Sequence, residues 1–137
     1  MLTPVLVDTT ALLALVNRRD QYHEAARKVS AELAVARREL VVSEWVLTEF
    51  LGGAARPPLR AAAIETVGRL RASRRVTVFP ATTDGWRRSF ELYCARTDKS
   101  WSLVDCASLL FCEHLGIQDV LTHDRHFAQA GLQILLP

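Results

Sequence analysis

At 137 residues, half of them apolar, the chain can bury one core but is too short for two, so a single domain over 1–137 is predicted. No apolar run approaches the roughly 20 residues of a membrane span, and the N-terminus lacks the basic flank and cleavage pattern of a signal peptide, which predicts a cytoplasmic protein. The net charge of +2 points to no partner class by itself, and three cysteines without CxxC or Cys/His spacing exclude a disulfide framework and structural zinc.

Val5-Leu6-Val7 is an apolar run without alternation, which predicts a strand buried on both faces of a parallel sheet, with Asp8 at its carboxyl end. Thr9 or Thr10 can cap the helix that Ala11 to Leu15 begins. After the polar break Asn17-Arg18-Arg19-Asp20, residues 21–38 read as an amphipathic helix with Ala25, Val29, Leu33 and Ala36 on one side. Leu40-Val41-Val42 predicts a second strand, Ser43 caps a helix over 44–51, and Gly52-Gly53 is expected to stop it. A helix over 59–73 offers Ala62, Ile64, Val67 and Leu70 to the core, and Val76 to Phe79 is a third strand ended by Pro80. Thr83 or Asp84 opens a helix to about residue 95. Ser102 to Leu115 is another, closed by Gly116. Residues 119–122 and 133–136 complete four to five strands. Strands alternating with helices predict a three-layer α/β architecture with a mostly parallel central sheet.

Apolar residues surround nearly the whole axis of the 102–115 helix, so it is expected to lie in the centre of the fold, interrupted on one side by Asp105 and Ser108. A carboxylate removed from water without a partner is costly enough to protonate or to recruit a cation. Two readings stand for Asp105: a capping box with Ser102, or a metal or catalytic role. Glu49 lies at the border of the apolar arc of its helix, where a glutamate is a solvated flank or a functional acid, with Glu44 as the more exposed alternative. Asp124 leaves a strand much as Asp8 does, and reads as a turn aspartate or as a site residue. Acids at the carboxyl ends of neighbouring parallel strands can face one crevice at a topological switch point.

These acids sit in segments with a recognisable order. VLVDTTALLALVNRRD, SEWVLTEFLGG, SWSLVDCAS and VLTHDRHF resemble the four acidic motifs of PIN-domain nucleases, in particular the VapC-type toxin ribonucleases of bacterial toxin–antitoxin systems. The resemblance spans essentially the whole chain. It implies a PIN-like fold in which Asp8, Glu49, Asp105 and Asp124 form an acidic tetrad used with Mg²⁺ or Mn²⁺, with Asp8 and Asp105 as principal ligands. Asp124 would be a ligand of the first or a second metal, and Glu49 a ligand or the orienter of the attacking water. Thr9 or Thr10 matches the hydroxyl that follows the first aspartate. His123 departs from the apolar or aromatic residue usual at its position, and the TxDxxF pattern selects Asp124 over the nearby Asp119. The implied function is a metal-dependent endoribonuclease acting on RNA, restrained by a small antitoxin and homodimeric, with no membrane partner. An RNA-processing nuclease without antitoxin and a non-catalytic PIN-like interaction module are the alternatives, and retention of all four acids disfavours the second.

Oxygen-only ligation suits Mg²⁺ or Mn²⁺ rather than zinc. No HExxH or comparable spacing accompanies His123 and His126, which read as surface or phosphate-contacting residues, and His23 and His114 as helix-surface ones. Of 17 basic residues 15 are arginine, and with the four acids set aside from 15 the remainder is 17 basic against 11 acidic, a formal +6 that favours a phosphate polymer or is simply a solvated face. Trp86 and Trp101 are expected in the core or at an interface before a base-stacking role. A receiver-like phosphoacceptor would need a lysine at a later strand end, where neither Lys28 nor Lys99 falls. A dehalogenase-like phosphatase would need an acid where Thr10 stands.

Overall fold

The computed structural model describes residues 2–137. Strands β1 (Val5–Val7), β2 (Leu40–Ser43), β3 (Val76–Phe79), β4 (Asp119–Leu121) and β5 (Gln133–Ile134) form one sheet in the order β3-β2-β1-β4-β5, with every pair parallel. Helices α1 (Thr9–Val16), α2 (His23–Val35), α3 (Glu44–Gly53), α4 (Leu59–Ala72), α5 (Thr83–Ala95), α6 (Leu103–Leu115) and α7 (Arg125–Gln129) cover its faces. None is long and apolar enough to cross a membrane among the described residues.

Side-chain alternation along each strand divides the interior in two. Val5, Val7, Val42 and Leu121 point to a core shared with Leu12, Leu33, Phe50 and Ala63 of the first four helices, while Leu6, Val41 and Val120 point to a second core with Cys106, Leu109, Cys112 and Phe127. The expected three layers are therefore present. Chain order runs outward from β1 through β2 to β3, then returns to β4 and β5 on the other side. The switch point falls between β1 and β4, where the carboxyl ends of two adjacent strands diverge into separate helices.

Local packing revises several sequence expectations. α2 ends at Val35, and Ala36 is exposed rather than core-facing. Gly52 and Gly53 do not stop α3 but form its last turn: a Cβ at Gly53 would meet the Leu13 side chain at 3.1 Å, so the glycine serves the close approach of α1 to α3. In α4 it is Ala63 that is buried, and Ile64, 62% exposed, faces solvent one helical step away. Thr82, ahead of the expected start, caps α5 by accepting from the Gly85 N–H. His23 is no surface residue, since its Nδ1 bonds the Ala14 carbonyl at 2.7 Å. Cys106 and Cys112 are buried, with burial pushing the Cys112 thiol up to about 12, and Cys94 is exposed.

Candidate active site

Asp8 is the residue at which β1 gives way to α1. It is 3% exposed, and its Oδ2 accepts hydrogen bonds from Thr122 Oγ1 at 2.9 Å and Thr10 Oγ1 at 3.1 Å. The residue at the cap position of α1 is thus Asp8 itself, without a side-chain cap bond, and Thr10 serves the carboxylate instead of the helix. Burial pushes the Asp8 carboxyl up to about 6 against the lowering effect of the Thr122 bond, and the negative charge of Asp105 adds to the rise. A carboxylate so poorly hydrated either keeps its proton or takes a cation in place of lost water.

Thr122, fully buried just after β4, is the hinge of the network. It donates to Asp8 Oδ2, and its oxygen accepts the Asp124 N–H at 2.9 Å, which fixes the chain leaving β4 relative to the end of β1. Asp124 is the cap of α7 and accepts the His126 N–H at 2.9 Å.

Asp105 approaches from α6. The capping box is real: Ser102 Oγ accepts the Asp105 N–H and Asp105 Oδ2 accepts the Ser102 N–H, both at 3.0 Å. That same Oδ2 lies 3.0 Å from His126 Nδ1, and Asp124 Oδ1 lies 3.3 Å from it. The capping-box reading of Asp105 therefore holds, and the carboxylate that closes the box also faces His126. Ser108, one turn on, and Thr9, beside Asp8, have buried hydroxyls with no hydrogen-bond partner among the described residues.

A match to the PIN domain family covers residues 5–132. This chain is a PIN domain. Among solved structures it is similar to VapC20 of Mycobacterium tuberculosis, described as a sarcin–ricin loop cleaving toxin, with a TM-score of 0.83 and 26% identity over 97% of this chain and 99% of that one. No curated protein matches it in sequence.

Within this PIN domain, Asp105, Asp124 and His126 present donor atoms that all lie within 4.8 Å of one another. Donors about 2.1 Å from a common octahedral ion are about 3 Å apart in cis and about 4.2 Å in trans, so this set fits a divalent cation. Asp8 stands outside that group and is linked to it through Thr122 and its Coulombic coupling to Asp105. Glu49 also stands outside it, exposed on α3. It is Glu49 that is the more exposed of the two candidates, because Glu44 is held by the Ala81 N–H at 2.7 Å and by Arg71 at 3.2 Å. Asp119 is excluded by position: it opens β4 at the opposite, amino edge of the sheet, where it pairs with Arg38 at 3.0 Å. His123 stacks on Tyr22 with ring centroids 3.8 Å apart. The sequence pattern assigned Thr122 no role, and His126, expected as a surface or phosphate-contacting residue, instead lies against Asp105 and Asp124. Each lies two residues from Asp124, and the alternation Thr-x-Asp-x-His across a strand-to-helix junction is the signal that marks them.

Proposed function

We propose that this PIN domain is a divalent-metal-dependent endoribonuclease, the toxin of a cytoplasmic toxin–antitoxin pair, using Mg²⁺ or Mn²⁺. The observation that carries the reading is that Asp8 and Asp124 stand just beyond the adjacent parallel strands β1 and β4, joined through the Thr122 hydroxyl, with donor atoms of Asp105 and Asp124 within 4.8 Å of one another. The likeness to VapC20, itself described as a toxin that cleaves the sarcin–ricin loop, supports RNA as the substrate class and, as for a toxin, a small antitoxin as partner; a homodimer is the assembly proposed with it.

Asp105 and Asp124 would hold the cation, with Asp8 as the third acid ligand, and the Thr122 hydroxyl would fix the Asp8 carboxylate relative to it. When bound, such an ion supplies Lewis-acid activation of water and neutralises charge developing on the phosphate. Glu49, exposed on α3, is proposed as the orienter of the attacking water, and no nucleophilic side chain is required.

Asp8→Asn should abolish cleavage of RNA by the purified protein while leaving the fold intact by circular dichroism. EDTA should do the same to the unaltered protein, reversibly on adding Mn²⁺. Cleavage that survives either treatment overturns the catalytic half. The partner half is tested separately by co-expression with the adjacent open reading frame, which should give a stable complex and relieve growth arrest.

A further inference from the structure

His126 is not one of the four acids of the motifs, yet it is the side chain most closely engaged with two of them. Its Nδ1 is 3.0 Å from Asp105 Oδ2 and 3.3 Å from Asp124 Oδ1. We propose that His126 is a nitrogen ligand of the divalent ion, which makes this centre a mixed carboxylate and imidazole site that selects Mn²⁺ over Mg²⁺. The proposal rests on the metal-dependent reading above and specifies its ligand set.

Three observations carry it. The two distances match the roughly 3 Å edge between cis ligands of an octahedral ion at about 2.1 Å, so Nδ1 already stands where a ligand would, with no change of rotamer. The ring is held in place, because the His126 N–H is bonded to Asp124 Oδ1, the carboxylate and the imidazole thus rising from one turn at the start of α7. The imidazole has no other hydrogen-bond partner among the described residues, so all of its directed bonding is aimed at the two acids. Without an ion, a hydrogen on Nδ1 bridges the carboxylates. With hydrogen on Nε2 instead, Nδ1 offers a lone pair along the same direction.

The choice of ion follows from donor chemistry. Mg²⁺ is hard, keeps its waters and favours oxygen, whereas Mn²⁺ binds carboxylate and imidazole together and stands higher for nitrogen donors. A purely structural His126, acting only to neutralise the acids, would be displaced as the ion enters. The two roles therefore differ in whether nitrogen is bound to the metal.

The test is electron spin-echo envelope modulation on the protein loaded with one equivalent of Mn²⁺, together with calorimetric titration of Mn²⁺ and Mg²⁺. Directly bound ¹⁴N modulation is expected in the unaltered protein and in His123→Ala, and is lost in His126→Ala. His126→Ala should weaken Mn²⁺ about tenfold or more and Mg²⁺ less than about threefold, a selectivity change that a packing defect would not produce. Bound Mn²⁺ without ¹⁴N modulation, modulation that persists in His126→Ala, or equal losses for both ions would each overturn the proposal while leaving the metal-dependent reading in place. Failure of the unaltered protein to bind Mn²⁺ at all would remove both.

Discussion

Asp8 shows how one residue can work against the stability of its own fold. Its folded carboxyl lies at about 6 against 3.8 when exposed, so between about pH 4 and 6 the folded chain keeps a proton that the unfolded chain releases. Stability of the metal-free protein should therefore fall as pH rises through that window and level off above it, by on the order of 3 kcal/mol at 1.4 kcal/mol per unit. Asp8→Asn should remove the effect: metal-free, it should melt above the unaltered protein at pH 8 and converge with it near pH 4, and saturating Mn²⁺ should reverse the order at pH 8. Melting curves across pH check all three. Thr122 supports Asp8 in a way the sequence did not announce. Thr122→Val leaves the Asp124 N–H without its partner and Asp8 Oδ2 with Thr10 as its one remaining donor, a loss of about 1–3 kcal/mol, and Thr122→Ser should restore both stability and cleavage.

The helix that carries Asp105 couples stability to the site at the scale of an element. The Ser102 hydroxyl closes the first turn of α6 while the Asp105 carboxylate closes the reciprocal bond, so the orientation of the acid depends on the cap. Ser102→Ala should cost about 1 kcal/mol, visible as a drop of a few degrees in Tm, and should weaken Mn²⁺ binding as well. Thr82→Ala, which removes the equivalent cap from α5, should cost a similar amount and leave Mn²⁺ affinity unchanged. At this scale the sequence was legible wherever period and punctuation agreed. Six residues on different faces of α6, among them Cys106 and Leu109, are buried, as its all-round apolar wheel requires, and Gly116 ends it in the left-handed conformation at φ 67°. Legibility failed where a neighbouring helix decided. The glycine pair of α3 reads as a stop in isolation and becomes a contact surface only because Leu13 arrives against it, and Ile64 reads as core until α4 is rotated to bury Ala63.

Across the whole molecule, charge is less one-sided than its arginine count. Arg87 and Arg88 pair with Asp84, Arg96 with Asp98 and Arg38 with Asp119, so these four arginines are engaged locally. Arg125 has no ion-pair partner among the described residues, is exposed, and directly follows Asp124 as the first residue of α7. Binding of single-stranded RNA to the Asp8→Asn protein should weaken linearly in log–log salt plots, and Arg125→Gln should reduce the slope by about 0.7, the loss of one phosphate contact. An unchanged slope would place the RNA backbone elsewhere.

The alternation of short apolar runs with helices, the position of Asp8 and Asp124 just beyond strands, and the capping box at Asp105 are local properties, fixed by period and by side-chain chemistry within a few residues. They were sufficient for the layered parallel architecture and for the order of the acidic segments. Which donors actually meet was decided only in three dimensions. A hydrogen bond from Thr122 to a carboxylate 114 positions away, and an imidazole wedged between Asp105 and Asp124, exist because strand order sends β4 back beside β1. Sequence spacing holds no measure of that distance, and the contacts that shape the site are made across it.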